Sequence, residues 1–336
     1  MTTIVKASLK SYNTFGLDHK ASELLRISDI AQLEGLLPTD PSQLFILGGG
    51  SNILLTGDID IPVWKNEIRG IKIWKDLGEE VIIKVGGGEV WHDLVLWAIE
   101  HELGGIENLS LIPGTVGAAP IQNIGAYGVE LTDTFHHLEA YELATGKKKI
   151  FEPDDCSFGY RDSYFKRDGK NRYFITHVYL RLKKAPHNLS LEYGAIQQTL
   201  SEMGVVEPGI KDVSNAVISI RSSKLPDPRK LGNSGSFFKN PVLPVSMLET
   251  LRQKEPDLVY YPQGDDRIKV PAGWLIQQSG WKGYRKGDAG CYEKQALVLV
   301  NYGGATGADI LQLANEIKNS VKEKFGIDLE PEVNIL

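Results

Sequence analysis

The sequence predicts an α+β fold divided into two or three domains. Segments typical of strands and of helices both occur, but they do not alternate in the regular βα order that a doubly wound sheet requires. The 336 residues exceed what a single hydrophobic core usually supports. Pro208 and Gly209 interrupt the chain where its character changes, so we expect a domain boundary near 205–215.

In the first half of the chain, predicted strands run into glycine-rich turns. A strand at 44–47 is followed by Gly48-Gly49-Gly50, and a strand at 81–85 by Gly86-Gly87-Gly88. Further strands are predicted at 53–55, 137–143 and 173–182, the last with the period-two alternation of a half-buried strand.

Helices are predicted from apolar residues at helical spacing. One runs from Val90 to about His101 and stops before Gly104-Gly105, and another runs from Asp212 to the prolines of 224–228. The last third of the chain is expected to form helices near 244–255 and 306–325, a strand at 296–301 and a strand-like tail at 327–335.

Charge and cysteine content argue against several classes of protein. The net charge of -6 disfavours nonspecific binding to nucleic acid or to an anionic membrane. Cys156 and Cys291 lie far apart, with no His or Cys nearby at metal-ligand spacing, so we expect buried reduced thiols and no metal site. No apolar run approaches the ~20 residues of a membrane span, and the first residues lack the apolar region of a secretory signal. We therefore expect a cytoplasmic protein.

Two glycine-rich segments are candidates for binding a cofactor. Gly48-Gly49-Gly50-Ser51-Asn52 lets the backbone approach a phosphate, but a strand follows it and it does not spell the dinucleotide motif, so a tight turn is the alternative. The segment 113–128 is apolar, small-residued and too broken by glycine and proline for a long regular element. It is typical of backbone packed against a flat ligand, with Gln122 and Asn123 able to bond a ring edge or phosphate. A buried loop joining two cores is the alternative.

Six segments together resemble one enzyme family. The two glycine-rich segments resemble the FAD-binding region of the vanillyl-alcohol-oxidase (PCMH-type) flavoproteins. Four more narrow the resemblance to the UDP-N-acetylenolpyruvoylglucosamine reductases, and they follow the family order over nearly the whole chain. These four are Asn13-Thr14-Phe15-Gly16, Phe158-Gly159-Tyr160-Arg161-Asp162-Ser163, Gly235-Ser236-Phe237-Phe238-Lys239-Asn240-Pro241 and Glu330-Pro331-Glu332-Val333.

The resemblance implies a two-part FAD-binding fold and a C-terminal α+β substrate-binding domain. The regions implied are 1–70 joined by the tail 326–336, then 71–210, then 215–325. It also implies noncovalent FAD reduced by NADPH, and His92 is read as a surface histidine that does not attach the flavin. The implied flavin contacts are Gly48, Gly49, Gly50, Ser51, Asn52, Pro113, Gly114, Thr115, Gly117, Ala118, Gln122, Asn123, Ile124 and Gly125.

Three residues carry the chemistry that the resemblance implies. In this family the reduced flavin passes hydride to the enolpyruvyl group of a UDP-sugar, which gives UDP-N-acetylmuramate for cell-wall synthesis. Arg161 would hold the substrate carboxylate and the enolate. Ser236 would protonate the carbanion carbon, with its proton resupplied through Lys239 or a bound water, and Glu332 would work opposite Arg161. Glu330 is the second candidate for the last role. Read alone, the three residues are a surface ion-pair arginine, a turn serine and a solvated acid.

The implied substrate contacts are Tyr193, Lys224, Asn240 and Gln295. Tyr193 lies in the insertion that distinguishes the longer type of this enzyme, and a core aromatic is its alternative. Arg221, Lys224, Lys239 and Arg267 are expected to provide a local positive pocket for the diphosphate. Cations that favour the end of a helix dipole are the alternative for the first two.

Two rival functions remain at this point. One is an FAD oxidase of the same superfamily that uses oxygen, and the other is a UDP-sugar-binding protein without catalysis. The first leaves the segment 235–241 and the final Pro331-Glu332-Val333 unexplained, and the presence of Arg161, Ser236 and Glu332 together argues against the second. The resemblance also implies a monomer that acts on a small molecule.

Overall fold

The computed structural model describes residues 3–34, 36 and 40–336 of the chain, which form an α+β protein. In these residues the helices are α1 (Ile30–Glu34), α2 (Trp91–Glu100), α3 (Pro153–Cys156), α4 (Gly194–Glu202), α5 (Ile210–Lys224), α6 (Leu248–Lys254), α7 (Ala272–Gln278) and α8 (Gly307–Phe325). The strands are β1 (Thr3–Ser8), β2 (Lys20–Ile27), β3 (Phe45–Leu47), β4 (Ile53–Leu54), β5 (Ile59–Asn66), β6 (Ile71–Asp76), β7 (Glu80–Gly86), β8 (Gly125–Ala126), β9 (Val129–Glu130), β10 (Phe135–Glu142), β11 (Lys147–Phe151), β12 (Tyr173–Lys183), β13 (Gly232–Ser236), β14 (Val242–Pro244), β15 (Tyr261–Gln263), β16 (Arg267–Lys269), β17 (Arg285–Lys286), β18 (Ala289–Cys291), β19 (Val298–Asn301) and β20 (Asn334–Ile335).

Contacts group the chain into two units. The first comprises the described residues within 1–8, 20–50 and 59–223, and the second those within 9–19, 51–58 and 224–336. Both units are therefore assembled from separate stretches of sequence. The division into three regions implied by the resemblance stays a prediction.

The first unit contains two sheets. Four strands lie in the order β1-β2-β5-β3, with β2 antiparallel to β1 and β5 parallel to both β2 and β3. Five antiparallel strands lie in the order β11-β10-β12-β7-β6. Its main core holds Val81, Ile83 and Val85 of β7 together with Leu94 and Val95 of α2. The apolar spacing that predicted α2 is thus confirmed as its core-facing stripe.

Strand β12 departs from its predicted alternation. Its first eight residues are all buried, whereas a half-buried strand would expose every second one. The reason is that β12 is the middle strand of its sheet and contributes to two cores. Ile175 and Val178 lie in the core that contains α2, while Phe174 lies in a second core with Trp64 and Leu25.

Helices α4 and α5, at the end of the first unit, form a small core of their own. Helices α4 and α5 pack through Ile196 and Leu200 of one and Val213 and Val217 of the other. Helix α5 begins two residues earlier than predicted, where the Asp212 carboxylate accepts a hydrogen bond from the Gly209 N–H at 2.9 Å.

The second unit is built around the sheet β13-β19-β18-β17, against which α8 packs. Helix α8 begins with a capping box in which Thr306 and Asp309 each accept a backbone hydrogen bond from the other, and ends at Gly326 in the left-handed conformation. A smaller sheet has the order β14-β16-β15.

The prediction of a strand over the whole tail is wrong. Only Asn334–Ile335 pairs as a strand, parallel to β4. The tail first passes along residues 237–239, where Glu332 N–H donates to the Phe237 carbonyl at 2.8 Å. This pairing is limited to one bridge, between Phe238 and Pro331, and does not form a strand.

Candidate active site

The first glycine run lies where β3 leaves its sheet, and it packs closely on a second loop. A Cβ at Gly49 would lie 2.7 Å from Cα of Gly114, and a Cβ at Gly48 would lie 2.9 Å from Oγ1 of Thr115. Only glycine permits this approach of two backbones. The Thr115 hydroxyl is buried and has no hydrogen-bond partner in the described chain. A buried hydroxyl of this kind is available to a bound ligand, so the loop pair suits a phosphate-bearing cofactor such as FAD.

The second glycine run serves packing instead. A Cβ at Gly86 would lie 2.4 Å from the Ile68 carbonyl oxygen, and one at Gly87 would lie 2.5 Å from that of Ile175. The Gly87 and Gly88 N–H groups donate to the carbonyls of Thr176 and Ile68 at 2.7 and 2.8 Å. Because these donors are already used, Gly86-Gly87-Gly88 offers little to an anion.

The loop 113–125 forms only a short 3-10 helix, Val116–Ile121, as its composition predicts. Gly117 donates to the Gly87 carbonyl at 2.8 Å, and Ile124 is buried in the main core. The Asn123 side chain donates to Glu130 at 2.7 Å and to the Gly159 carbonyl at 3.2 Å, and it accepts from Thr132. These hydrogen bonds hold the loop together, and the expectation that Asn123 contacts the cofactor stays a prediction.

The other loop residues differ in their surroundings. Pro113 is exposed, Ala118 lies beside Gly48, and the Gln122 side chain is half-buried. Gly125 begins the β8–β9 hairpin, and its carbonyl accepts a hydrogen bond from Arg161.

Arg161 projects from a tight turn. Gly159 and Asp162 exchange backbone hydrogen bonds across it, and Arg161 has a positive φ of 53°. Its Nη2 donates to the Gly125 carbonyl at 2.7 Å, which fixes the plane of the guanidinium. Asp162 pairs with Arg167 at 3.2 Å, so the adjacent acid has a cation of its own.

Arg221, on α5, is a buried guanidinium in the same unit. Its Nε has no hydrogen-bond partner among the described residues, while the side chain hydrogen-bonds Tyr127. Burial lowers the pKa of Arg221, and the positive charge of Arg161 lowers it further, although a guanidinium stays charged at neutral pH. Tyr127 meets Tyr193 edge-to-face at a centroid distance of 5.3 Å, and Tyr193 is 52% exposed. The structure therefore gathers two guanidiniums and two phenols, and Tyr193 is not the core aromatic of the alternative interpretation.

His92 is not the surface residue that was expected. Its ring is half-buried, and Nδ1 accepts a hydrogen bond from the Leu111 N–H at 3.0 Å. Burial lowers the pKa of His92, and this accepting nitrogen requires a neutral ring. Its role is to hold the turn at Leu111, which has a positive φ of 57°.

In the second unit, Ser236 and Glu332 lie on two backbone segments that pair with each other. Ser236 ends β13, next to the fully buried Phe237, and its own side chain is exposed. Glu332 N–H donates to the carbonyl of Phe237, the residue that follows Ser236. The structure thus places the two predicted residues on neighbouring backbone segments.

Glu330 and Lys239 pair with each other on the same two segments. Lys239 N–H donates to the Glu330 carbonyl at 2.9 Å, and Lys239 Nζ lies 3.3 Å from the Glu330 carboxylate. Glu330 is thereby engaged by a cation, and so is the lysine that was considered as a proton source for Ser236.

Two predicted substrate contacts meet at the start of α7. Asn240 Oδ1 accepts a hydrogen bond from the Ala272 N–H at 2.9 Å. Gln295 Oε1 lies so close to Gly273 that a Cβ there would be 2.8 Å from it. Lys224 is exposed at the end of α5 and belongs to the same unit by its contacts.

Ser51 and Asn52 also belong to the second unit. Asn52 Nδ2 donates to the Glu332 carbonyl at 3.2 Å, and the Asn52 carbonyl accepts from Asn334. Asn52 therefore anchors the segment that carries Glu332, and Ser51 precedes it in a half-buried turn.

The two cysteines are buried and free, and burial raises the pKa of both thiols to about 12. The described residues contain no group of three or more His, Cys, Asp or Glu side chains arranged to hold a metal ion. None of the helices described is both long and apolar enough to cross a membrane.

Family models match two parts of the chain. The C-terminal domain of UDP-N-acetylenolpyruvoylglucosamine reductase matches residues 227–336, and an FAD-binding domain matches residues 28–152. The first match contains Ser236 and Glu332, and the second contains both glycine-rich segments.

Full-length relatives agree with these matches. The chain is 49% identical to the UDP-N-acetylenolpyruvoylglucosamine reductase of Flavobacterium johnsoniae over 98% of either chain. It is 49% identical to the enzyme of the same name from Pseudomonas aeruginosa, over 98% of this chain and 97% of that one. The crystal structure of the Thermus caldophilus reductase is similar, with a TM-score of 0.68 and 26% identity over 99% of this chain and 98% of that one. A 6-hydroxy-D-nicotine oxidase from Arthrobacter nicotinovorans shares the fold, with a TM-score of 0.51 and 14% identity over 97% of this chain and 86% of that one.

Proposed function

The chain belongs to the UDP-N-acetylenolpyruvoylglucosamine reductase family, and we propose that Arg161, Ser236 and Glu332 carry out the reaction of that family in it. The chain is an FAD-dependent oxidoreductase, a UDP-N-acetylmuramate dehydrogenase of peptidoglycan synthesis. Its substrates are NADPH and the enolpyruvyl ether of UDP-N-acetylglucosamine. The observation that carries this conclusion is the 49% identity to named reductases along 98% of the chain.

FAD, when bound, supplies the redox chemistry by carrying hydride from NADPH to the terminal carbon of the enolpyruvyl double bond. Two loops of the first unit would hold its diphosphate, Gly48–Gly50 and the segment that contains Gly114 and Thr115. The unpartnered Thr115 hydroxyl and the close approach of the two backbones support this assignment. The remaining predicted flavin contacts, from Ser51 and Asn52 to Gly125, complete the proposed set.

Arg161 stabilises the negative charge that appears on the substrate carboxylate as the double bond is reduced. The hydrogen bond from Nη2 to the Gly125 carbonyl holds one edge of the guanidinium, so the orientation of its other N–H groups is set before substrate binds. A donor that is fixed before the reaction does not have to reorganise as charge develops.

Ser236 donates the proton that completes the reduction, from its hydroxyl to the carbon beside the carboxylate. A serine hydroxyl is a weak acid in water, so its exposure in the free protein implies that the bound substrate excludes water from it. Glu332, on the segment that pairs with Phe237, orients or assists this proton transfer. The engagement of Glu330 with Lys239 supports Glu332 as the residue involved.

The remaining anionic charge of the UDP-sugar requires further cations and donors. Arg221 is the strongest addition to the predicted set, because a buried guanidinium with an unpartnered Nε gains from an anionic ligand. Tyr193 would contact the same part of the substrate from its exposed position beside Tyr127. Lys224, Asn240 and Gln295 are the proposed contacts from the second unit.

We further propose that regions 1–70 with the tail 326–336, then 71–210, and then 215–325 act as the two flavin-binding portions and the substrate-binding domain. The resemblance also supports a monomeric enzyme in the cytoplasm. Sedimentation of the purified protein with FAD bound tests whether it is a monomer, since a single species of about 37 kDa is then expected.

Anaerobic absorbance spectra test the function. The purified protein is expected to be yellow, to be bleached by NADPH, and to regain its colour when the enolpyruvyl UDP-sugar is added. A colourless protein that does not take up FAD would contradict the assignment. Rapid reoxidation by oxygen with no response to the UDP-sugar would point to an oxidase instead.

A further inference from the structure

Lys65 is a lysine on a strand whose neighbouring positions are buried. It occupies the next-to-last position of β5, opposite Leu47 of β3, so its backbone lies beside the point where the chain enters Gly48. The preceding residues Val63 and Trp64 are 0% and 6% exposed, and the side chain of Lys65 is itself partly buried. A cation costs free energy at such a position unless something compensates it.

Within the described chain, the hydrogen-bond acceptor of the Lys65 ammonium is a backbone carbonyl. Lys65 Nζ donates a hydrogen bond to the Gly48 carbonyl oxygen. Among the described residues, no ion pair joins Lys65 to a carboxylate. Glu67, the nearest acid along the strand, is paired with Arg26 at 2.8 Å.

Two arginines lie near Lys65, and each is paired with a carboxylate. Arg26 lies opposite Lys65 on β2 and pairs with Glu67, and Arg69 follows β5 and pairs with Glu89 at 3.0 Å. Burial is the main cause that lowers the pKa of Lys65 to about 8; Arg69 and Arg26 lower it further, and Glu67 opposes them. In the free protein the ammonium is therefore poorly stabilised.

The hydrogen bond to Gly48 also determines the direction of a peptide. In a planar trans peptide the carbonyl and the following N–H point to opposite sides. Because the Gly48 carbonyl points toward Lys65, the Gly49 N–H points away from it. The same peptide is held on another side by Gly114 and Thr115, to which Gly48 and Gly49 pack without room for a Cβ.

We propose that Lys65 is a positioning residue for the FAD diphosphate: its ammonium fixes the Gly48–Gly49 peptide and adds a positive charge to the loop that binds the phosphates. The diphosphate carries negative charge that the loop's N–H groups alone match only in part. The Lys65 ammonium orients the Gly48 carbonyl, and the Gly49 N–H on the opposite side of the same peptide is then available to the anion. This inference rests on the proposed function in assuming that the first glycine run binds FAD.

The test is the dissociation constant of FAD from the apoprotein, measured by quenching of flavin fluorescence between pH 6.5 and 9.5. An anion that raises the pKa of Lys65 by one unit binds about tenfold more tightly to the protonated form. We therefore expect Lys65→Met to weaken FAD binding about tenfold at pH 7. The wild-type protein should lose this advantage as pH rises through about 8, where Lys65 of the apoprotein releases its proton.

Two further variants separate charge from hydrogen bonding. Lys65→Arg keeps the charge at every pH and should bind FAD tightly with no loss near pH 8. Lys65→Gln keeps a donor for the Gly48 carbonyl without the charge, and should bind FAD more weakly than wild type but more tightly than Lys65→Met. Lys75→Met, on the exposed strand β6, removes the same charge at the surface and should leave the affinity unchanged.

Calorimetry of the wild-type protein measures proton uptake on FAD binding and does not depend on how any variant folds. FAD binding at pH 8 should take up protons, seen as heats that differ between buffers of different ionisation enthalpy. Equal affinities of wild type, Lys65→Met and Lys65→Gln at pH 7, or binding at pH 8 without proton uptake, would overturn the role of Lys65. A wild-type apoprotein that fails to bind FAD would instead contradict the proposed function.

Discussion

Individual polar side chains in this protein differ in how far the fold already uses their hydrogen-bonding atoms. Asn123 has its amide and its carbonyl oxygen engaged by the surrounding loop. Thr115 and Arg221 keep a buried polar atom without a partner in the described chain. Leaving such an atom unpaired costs about 1–3 kcal/mol. Thr115 and Arg221 are therefore better candidates for ligand contacts than Asn123.

Ser236 is expected to act only in the second half of the reaction. Ser236→Ala removes the proton donor, so reoxidation of the reduced flavin by substrate should slow by about 10²–10⁴-fold. Reduction of the flavin by NADPH needs no proton from Ser236 and should stay near the wild-type rate. Stopped-flow absorbance of the two half-reactions measures both rates.

Ser246→Ala is the control, because Ser246 is an exposed serine of the same unit, on the 3-10 helix Val245–Met247, and has no assigned role at the site. It should alter neither half-reaction appreciably. Equal slowing of both half-reactions in Ser236→Ala would show that Ser236 serves the structure instead.

Arg221 is expected to contribute to substrate binding. Arg221→Lys keeps a positive charge but loses the fork of donors, so the dissociation constant of the UDP-sugar should rise about tenfold. Tyr127→Phe removes only the hydroxyl partner of Arg221 and keeps the aromatic contact with Tyr193, so its effect should be smaller. Titration of the oxidised flavin spectrum with substrate measures both constants. An unchanged constant in Arg221→Lys would contradict the assignment.

The residue types at the site could be anticipated better than their environments. The glycine run at 48–50 and the segment 113–128 are local patterns, and both lie where close backbone contacts occur. The environment of Lys65 depends on pairing between β3 and β5, and that of Arg221 on how α5 meets Tyr127. Such contacts join residues far apart in sequence, so a local pattern contains no trace of them. The local signal for Lys65 is a lysine that directly follows the apolar residues Val63 and Trp64.

A secondary structure element follows its sequence pattern when only one of its faces packs against a core. Helix α2 lies within one residue of its predicted start and end because its apolar stripe faces a single core. Strand β12 lacks the predicted alternation over its first eight residues, because a middle strand with a core on both faces buries consecutive positions. The tail is not one strand because it pairs with two different segments, first with residues 237–239 and then with β4. Patterns of apolar residues cannot show how many neighbours an element has.

The glycine run after β3 can be tested as an element. Gly49→Ala places a Cβ 2.7 Å from the Gly114 backbone, which has no flexible side chain to move aside. The two loops must then separate, and FAD affinity should fall at least about tenfold while far-ultraviolet circular dichroism stays unchanged. Gly57→Ala is the control, since a Cβ there meets nothing within 4 Å and should leave the FAD affinity unchanged. Wild-type FAD affinity in Gly49→Ala would show that the close approach is not needed.

The molecule as a whole carries a charged network on its five-stranded sheet. The Glu139 carboxylate, 9% exposed, lies 3.0 Å from Lys84 Nζ and 2.6 Å from Lys148 Nζ. Burial by itself would raise the pKa of Glu139, but these two hydrogen-bonded lysines outweigh it and lower the pKa to about 2. His177 lies 3.3 Å from the same carboxylate, yet burial lowers its pKa to about 4, with Lys84 adding to the effect. The folded protein therefore keeps Glu139 ionised and His177 neutral over most of the acidic range.

Both shifts predict that acid weakens the fold, in two successive windows. Between pH 6.5 and about 4 the unfolded chain protonates His177 and the folded protein does not, so the free energy of unfolding falls as pH decreases, by up to about 3 kcal/mol. Below pH 4.5 the unfolded chain also protonates Glu139, and its stabilising contribution is lost as pH falls toward about 2. Urea unfolding followed by tryptophan fluorescence at successive pH values measures the curve. His177→Gln should make the first window shallower, with the remainder due to His92, His136 and His137, whose pKa values burial also lowers, and should leave the second unchanged. Glu139→Gln should flatten the second and destabilise the protein at pH 7 by leaving two lysines without a partner. A His177→Gln curve parallel to wild type between pH 6.5 and 4 would show that His177 is not the group responsible.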